Sequence, residues 1–360
     1  MDQQIPSGSN SDRLSIPFAP IPSDQLLNAS LDNIPTYLFR VSDHNSPGTT
    51  SPTEVCSPAF INLQRAVDLY GMERERAASV LRDHLQWECE EHSCDLMSWT
   101  SSLLFALQYA LYRHQYWKKG SEDFSDTFIL IVDTRQFKRG AFSRDLQAID
   151  AYKGISTGDK DGRSLNDLYK IRQNGFYYFG EYLSQGRLKI DPERGHQVTI
   201  GNLIQRGLFD INPELKNKAY WASLGRRVNQ LRGLIQNGPF NIQRSDIQAA
   251  MNVAEAFQPF AIPVAAMLLS ISCYNLDSKD LIILEELRGR HTENNISGLL
   301  RTNVGPVAFL PELRSYKKLI DGLEQLMTIR TKDIEPESES SRTMKDDVEG
   351  LIALVNDLSV

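Results

Sequence analysis

The chain has 360 residues, of which 41% are hydrophobic and 24% are charged. This length is enough for about two domains, and the composition is that of a globular protein with a buried core. The formal net charge of −7 argues against nucleic-acid binding, because a phosphate-binding surface requires clustered lysine and arginine. Four cysteines in so long a chain do not form a disulfide framework, which favours an intracellular protein, cytoplasmic or nuclear.

The first part of the chain predicts an arm, a strand and two helices. Residues 1–33 are rich in Ser, Pro and Asn and lack the basic and apolar regions of a secretory signal, so we expect a disordered arm. Residues 34–42 are aromatic and aliphatic and precede a dense turn signal, which predicts a strand containing Arg40. Residues 62–87 have apolar residues near a period of 3.6, which predicts a helix. A second helix follows from Leu103.

A run of hydroxyl-bearing residues precedes this second helix, at the junction with a predicted strand. Alternate side chains of a strand lie on the same face, so Ser98 and Thr100 would lie together and Trp99 would point the other way. Ser101 and Ser102 are expected to cap the helix. The run therefore divides into two candidate site residues and a cap.

The middle of the chain predicts three further strands. Residues 128–134 form a nearly continuous apolar run, which is typical of a central strand covered on both faces. Residues 135–175 are polar and contain glycines, and predict an insertion with one short helix around 165–172. Residues 176–190 predict two strands around a central turn, the first of them aromatic. Glu181 is unusual there, because strands disfavour glutamate and burying an unpaired carboxylate is costly.

From about residue 212 the pattern becomes helical. The most apolar run, residues 259–273, is too short to span a bilayer and predicts a buried helix, so no membrane partner is expected. Four helical segments are separated by short polar breaks: residues 220–236, 243–257, 264–274 and 278–287. The sequence thus divides into a disordered arm (1–33), an α+β domain (34–211), an all-α C-terminal domain (212–330), and a charged linker with a short C-terminal helix (331–360).

Two patterns that suggest a metal do not satisfy the rules for one. Residues 159–162 resemble the start of a calcium loop, but Leu168 occupies the twelfth position, where a bidentate Glu is needed. Four neighbouring His and Cys residues suggest zinc, but they lack a C-x₂-C spacing and no second pair follows, so core or surface roles are favoured. These four are His84, Cys89, His92 and Cys94. We therefore predict no metal site.

Three polar residues lie on or beside the predicted strands, in the order Arg40, Ser98 and Glu181. A guanidinium can hold a pyrophosphate through two hydrogen bonds, and a hydroxyl can position a ribose or a carboxylate. A carboxylate can stabilise the positive charge that develops on a sugar when its glycosidic bond breaks. Together these groups supply what a site that cleaves a dinucleotide needs.

This ordered set resembles the Arg–Ser–Glu class of ADP-ribosyltransferases, the group that includes cholera-like toxins and pierisin-like proteins. Residues 37–43 (YLFRVSD) resemble the first strand of that family. Residues 98–106 (SWTSSLLFA) resemble its Ser-Thr-Ser strand and the following helix, and residues 180–190 resemble the strand that carries the catalytic Glu, its turn and the next strand. The resemblance covers residues 34–192.

The resemblance implies a split mixed β-sheet of the ADP-ribosyltransferase type, with NAD as substrate. Arg40 would hold NAD through its phosphate or ribose. Ser98 would position the glutamate and the nicotinamide ribose, with Thr100 in support. Glu181 would be the catalytic residue, stabilising the oxocarbenium ion as nicotinamide leaves. The helical C-terminal half would engage an unknown protein partner or substrate.

Two departures from the family pattern support an alternative. Trp99 stands where the family has a small residue, and Phe179 stands where arginine-modifying members carry Gln or Glu, which argues against protein arginine as acceptor. One hypothesis is therefore an NAD-dependent ADP-ribosyltransferase or NAD glycohydrolase. The other is a catalytically degenerate protein of the same fold that acts as an interaction module. Three short blocks also resemble an uncharacterised domain of predicted fungal proteins, which implies no function: residues 38–40, 98–110 and 177–186.

Overall fold

A computed structural model describes most of the chain as two antiparallel sheets and one short parallel pair of strands, with helices around them. The described residues are 16–62, 67–89, 93–118, 121, 123–157, 164–175, 177–237, 240–272, 274–275, 280–290 and 293–334. The strands are β1 (Tyr37–Asp43), β2 (Thr49–Thr50), β3 (Glu54–Cys56), β4 (Leu96–Thr100), β5 (Thr127–Asp133), β6 (Ser143–Arg144), β7 (Glu181–Gln185), β8 (Arg187–Lys189), β9 (Gly195–Thr199), β10 (Phe240–Asn241) and β11 (Tyr274–Asn275).

The helices lie between the strands in the first half of the chain and follow one another in the second half. They are α1 (Gln25–Ser30), α2 (Pro58–Ile61), α3 (Arg74–Leu85), α4 (Leu103–Trp117), α5 (Asp145–Tyr152), α6 (Leu165–Gln173), α7 (Ile200–Gln205), α8 (Leu208–Ile211), α9 (Leu224–Asn237), α10 (Arg244–Ala254), α11 (Ala261–Ile271), α12 (Asp280–Arg290), α13 (Glu293–Leu300) and α14 (Pro311–Ile334). The α+β class predicted from the sequence is confirmed.

The main sheet has six strands in the order β6-β7-β4-β1-β5-β9, and a second sheet joins β2, β3 and β8. β4 and β5 are both antiparallel to β1, so they run parallel to each other, and α4 connects them as a crossover. Because β1 lies between them, neighbouring strands in this sheet are antiparallel throughout. The prediction of a mixed sheet is therefore wrong for both of these sheets.

Strand β5 is covered on both faces, as its apolar sequence predicts. Ile129 and Ile131 belong to the apolar cluster on the side of α4. Leu130 and Val132 belong to a cluster on the opposite face, which also contains Trp99. The alternation of side chains along an extended strand produces this division.

The C-terminal helices pack against α4 in one continuous apolar cluster. Leu107 of α4, Leu268 of α11 and Leu319 of α14 are all buried members of this cluster. Every residue of α11 is buried, which confirms the buried helix predicted from this apolar run. Among the helices of the described residues, none is long and apolar enough to cross a bilayer. The division of the chain into domains stays a prediction.

The disordered arm predicted for residues 1–33 is wrong for its described part. Phe18, Leu27 and Leu31 are buried, and Asp24 caps α1 by accepting a hydrogen bond from the Leu27 amide. The ring centroid of Phe18 lies 5.4 Å from that of Tyr70. Polar composition hid these few apolar anchors, which are enough to order the segment. Residues 1–15 lie outside the described residues.

The helix predicted over residues 62–87 begins only at Arg74. Leu69–Gly71 is a single 3₁₀ turn, and residues 63–66 lie outside the described part of the chain. Asp68 accepts hydrogen bonds from the Tyr70 amide and from the side chain of Gln185, whose amide oxygen accepts from the Leu69 amide. These side-chain partners satisfy the backbone groups that a continuous helix would have paired.

The two strands predicted around a turn within residues 176–190 are observed as β7 and β8, but they belong to different sheets. β7 begins only at Glu181 and belongs to the main sheet, whereas β8 pairs with β3 in the second sheet. Gly186, with a φ of 68°, redirects the chain between the two sheets. Tyr177 and Phe179 thus precede the strand and line the site described below.

Three other segments differ from expectation or lie outside the description. The predicted short helix is observed as α6, but β6 and α5 were missed within the same polar region. Helix α14 continues to Ile334, into the segment predicted as a linker from residue 331. The calcium-like turn at 159–162 and residues 335–360 lie outside the described residues.

Replacing Gly180 with alanine should destabilise the fold. Gly180 has a φ of +67°, and a Cβ there would lie 2.3 Å from Oγ of Ser101. The strained backbone and the clash together should cost about 2–4 kcal/mol in the free energy of unfolding, measured by urea denaturation. Gly154→Ala is the matched control, because no atom lies within 4 Å of its added Cβ, and equal stability of the two variants would contradict the prediction.

Candidate functional site

The three residues singled out from the sequence line one cavity. Its volume is about 510 Å³, within the range of small-molecule sites. Arg40, Ser98 and Glu181 come from β1, β4 and the first position of β7, which are neighbours in the main sheet. The structure therefore places all three within reach of one small ligand.

Ser98 and Glu181 are joined by a hydrogen bond. The antiparallel register sets Thr100 opposite Glu181, and Oγ of Ser98 donates to Oε1 of Glu181 at 2.6 Å. Trp99 points to the other face, where its Nε1 donates to Oγ of Ser184 at 2.8 Å. The predicted alternation along this strand is confirmed, and the bulk of Trp99 stays out of the contact between Ser98 and the carboxylate.

Arg40 is half-buried and already holds two groups of the site. Its Nε donates to Oγ1 of Thr50 and its Nη1 donates to the carbonyl of Ser98, both at 3.0 Å. Burial lowers the pKa of Arg40 to about 10, which still leaves the guanidinium charged at neutral pH. Within the described part of the chain, Nη2 makes no hydrogen bond. The side chain is thus fixed in place with one nitrogen available to a ligand.

The hydroxyl of Thr100 is committed to the backbone. It donates to the carbonyl of Phe179 at 2.6 Å and accepts from the amide of Ser102 at 3.0 Å. Ser102 caps α4 by accepting from the Phe105 amide, as predicted. Thr100 therefore positions the segment before Glu181.

Two residues that sequence reasoning missed complete the surroundings of Glu181. Nη1 of Arg172 donates to Oε2 of Glu181 at 2.7 Å and also pairs with the carboxylate of Asp145. Asp145 is fully buried at the start of α5, and burial raises its pKa to about 6, against the opposing effect of Arg172. Both residues lie in the region predicted to be an insertion. Arg172 could not be singled out from the sequence, because a basic residue in the last turn of a helix is common.

A histidine and two cysteines extend this network on the side of Ser98. Nε2 of His84 lies 2.9 Å from Oγ of Ser98, and its Nδ1 lies 3.1 Å from Sγ of Cys94. The pKa of the Cys94 thiol lies well below its ordinary range, mainly because Cys89 donates a hydrogen bond to it and also because His84 is close. The pKa of Cys89 is raised in turn. The sequence favoured core or surface roles for these three residues and did not predict the chain of contacts that joins them to Glu181. His92 lies outside the described residues.

One wall of the cavity is aromatic. Phe105 stacks on Phe179 with ring centroids 4.6 Å apart and also on Tyr109 at 5.7 Å. Trp87, which is 65% exposed, stacks on Tyr109 at 6.0 Å. Flat apolar walls of this kind suit a planar ring. The aromatic residues line the cleft and leave its volume open.

Comparison with known proteins assigns the site to one matched segment. A family model described as a domain of unknown function (DUF7587) matches residues 33–192. This segment contains all the site residues described above: Arg40, His84, Cys89, Cys94, Ser98, Thr100, Asp145, Arg172 and Glu181. The chain has no match among curated proteins or among solved structures.

Arg172→Met should destabilise the protein, because it leaves the buried Asp145 carboxylate without its cation. The expected loss in the free energy of unfolding is about 3–5 kcal/mol. The folded-state pKa of Asp145 is already raised, so its ionisation destabilises the folded state as the pH rises, and removing Arg172 raises this pKa further. The loss should therefore be larger at pH 8 than at pH 5.

Urea denaturation of both proteins at the two pH values measures this effect. Lys317→Met is the matched control, because it breaks an exposed pair with Asp321 and should cost less than about 0.5 kcal/mol. A loss for Arg172→Met as small as that of the control, at both pH values, would show that the buried pair does not stabilise the fold.

Proposed function

We propose that this cavity binds NAD and that the protein cleaves the bond between nicotinamide and ribose. The observation that carries the proposal is the hydrogen bond between Ser98 and Glu181, beside Arg40, in one open cavity. ADP-ribose then passes to an acceptor or to water. The protein acts in this proposal as an ADP-ribosyltransferase or an NAD glycohydrolase.

The proposed chemistry is the breaking of a C–N bond with charge separation. The bonding electron pair leaves with nicotinamide, which becomes neutral, and the positive charge develops on the ribose ring. The Glu181 carboxylate stabilises this oxocarbenium ion, and Ser98 fixes the carboxylate through Oε1. The acceptor nucleophile then bonds to the anomeric carbon and releases its proton.

The charges around Glu181 are compatible with that role. Arg172 keeps a cation 2.7 Å from Oε2 of Glu181, and this cation opposes the positive charge of the transition state. Asp145, paired with the same guanidinium nitrogen, offsets Arg172 when it is ionised. Two carboxylates around one guanidinium give these three residues a net charge of −1 when both carboxylates are ionised, which favours a developing cation beside them. The charged Arg40 in the same cavity balances this charge and is left for the negative phosphates.

Arg40 and the aromatic wall divide the recognition of NAD between them. Arg40 offers its charged Nη2 to a phosphate or a ribose hydroxyl, as guanidinium groups commonly do. Phe105 and Phe179 offer a stacked face to the nicotinamide or adenine ring. The helical residues 212–330 are the surface where we place the acceptor or another protein partner.

A second candidate function is an interaction module that keeps this arrangement without catalysis. The salt bridge between Arg172 and Oε2 of Glu181 favours it, because both carboxylate oxygens are then engaged by protein groups. The two hydrogen bonds that Arg40 already donates also favour this alternative, because they occupy Nε and Nη1 with protein groups. In this alternative the cavity holds a ligand or a peptide side chain and turns nothing over.

Glu181→Gln should abolish the release of nicotinamide from NAD. Wild-type protein incubated with NAD should release nicotinamide, measured by liquid chromatography, and the variant should be slower by at least about 100-fold. Glu193→Gln, at an exposed position just beyond the matched segment, should match the wild type. Circular dichroism must show equal folding of all three proteins. Absence of release from the wild type, together with absence of NAD binding, contradicts the proposal.

Arg40→Lys should weaken NAD binding by about tenfold, because lysine cannot hold Thr50 and Ser98 and still contact the ligand with a planar fork. The measurement is calorimetric titration of NAD in the Glu181→Gln background, which prevents turnover. Arg139→Lys, whose guanidinium makes an exposed pair with Asp32, is the control and should leave the affinity unchanged. Equal affinities of the two variants would remove Arg40 from the NAD site.

A further inference from the structure

His84, Cys89 and Cys94 place one nitrogen and two sulfur donors at a single point. The three donor atoms lie within 4.8 Å of one another, and Nδ1 of His84 is 3.1 Å from Sγ of Cys94. Across the described residues, these three form the one group of His, Cys, Asp or Glu side chains with donor atoms this close. The sequence places these residues near one another, but their spacing fits no zinc-binding pattern and does not predict the convergence.

The local fold explains why the donors meet. His84 lies in the last turn of α3, which ends at Leu85, and Trp87 then takes a φ of 61° that reverses the chain. Cys94 is 7% exposed just before β4, while His84 and Cys89 are half-buried. All three side chains line the same cavity as Ser98 and Glu181. Both thiols thus lie near His84, at the end of the helix.

We propose that His84, Cys89 and Cys94 bind one zinc-like divalent cation at the edge of the cavity, with the fourth coordination position open to it. Nitrogen and sulfur donors select zinc over magnesium or calcium, and three protein ligands leave a tetrahedral ion one exchangeable position. Tetrahedral zinc keeps its donors about 3.5–3.8 Å apart, so the His84–Cys94 pair needs to open by only about half an ångström.

The cation would also fix the direction of the hydrogen bonds that reach Glu181. With Nδ1 of His84 on the metal, Nε2 carries the ring proton and donates to Oγ of Ser98 at 2.9 Å. Ser98 then donates its own proton to Glu181 at 2.6 Å. Such contacts beyond the ligands usually set the orientation of a metal-bound histidine. The proposal stands on these contacts and does not depend on NAD being the ligand of the cavity.

Metal analysis of the full-length protein tests the proposal. Protein that is purified under reducing conditions and loaded with zinc should retain one equivalent of zinc per chain. Elemental mass spectrometry measures this content. Cys89→Ser and Cys94→Ser should each lose it. Cys56→Ser is the matched control, since Cys56 is a buried free thiol beside Glu54, and it should keep the full equivalent. Cobalt substitution should give thiolate-to-metal absorption in the wild type and in the control only.

A second measurement keeps the proposal testable if the serine variants do not fold. Removing zinc from the wild type with a chelator should make two additional thiols reactive toward a thiol reagent, and adding zinc back should protect them. Wild-type protein that binds neither zinc nor cobalt when reduced overturns the proposal. So does an oxidised protein with a Cys89–Cys94 disulfide whose reduced form stays metal-free, because the pair would then be a redox pair.

Discussion

The buried ion pair between Arg232 and Glu312 fixes the two backbone segments that position the site. Both side chains are almost fully buried, and their closest atoms are 2.8 Å apart. Glu312 also accepts from Oγ of Ser102, and Arg232 donates to the carbonyl of Tyr178. A buried pair is tolerable only when its remaining donors and acceptors are satisfied. Two C-terminal helices thereby fix the cap of α4 and the segment leading to Glu181.

The position of the Glu181 carboxylate follows from this ion pair and from the register of the sheet. The ion pair fixes the backbone segment that precedes β7, because Arg232 donates to the carbonyl of Tyr178. Gly180 then adopts a positive φ, which lets the chain pass close to Ser101. Pairing of β4 with β7 then brings Ser98 to Glu181, while Trp99 packs away on the other face. The polar groups of the cavity are therefore oriented by elements from both halves of the chain.

The local pattern along single strands was predictable, and the contacts between distant segments were not. Alternation predicted that Ser98 and Trp99 lie on opposite faces, because the period of a strand is a property of the backbone. Arg172 and Asp145 were missed because an ion pair between α5 and α6 has no sequence period and falls in a polar region. The convergence of Cys89 with its neighbours depends on a chain reversal, which a spacing rule does not describe.

Helix α14 is the longest helix in the described part of the chain. It has 24 residues, which corresponds to a length of about 36 Å, and Glu312 stands in its first turn. Leu310 immediately precedes the helix, and its Cδ1 lies 3.3 Å from the position that a Cβ would take at Gly180. The start of this helix thus lies beside Gly180, the residue that precedes Glu181. Because Leu319 and Leu323 of the same helix are buried in the C-terminal apolar cluster, loosening that core would also loosen the segment that precedes the carboxylate.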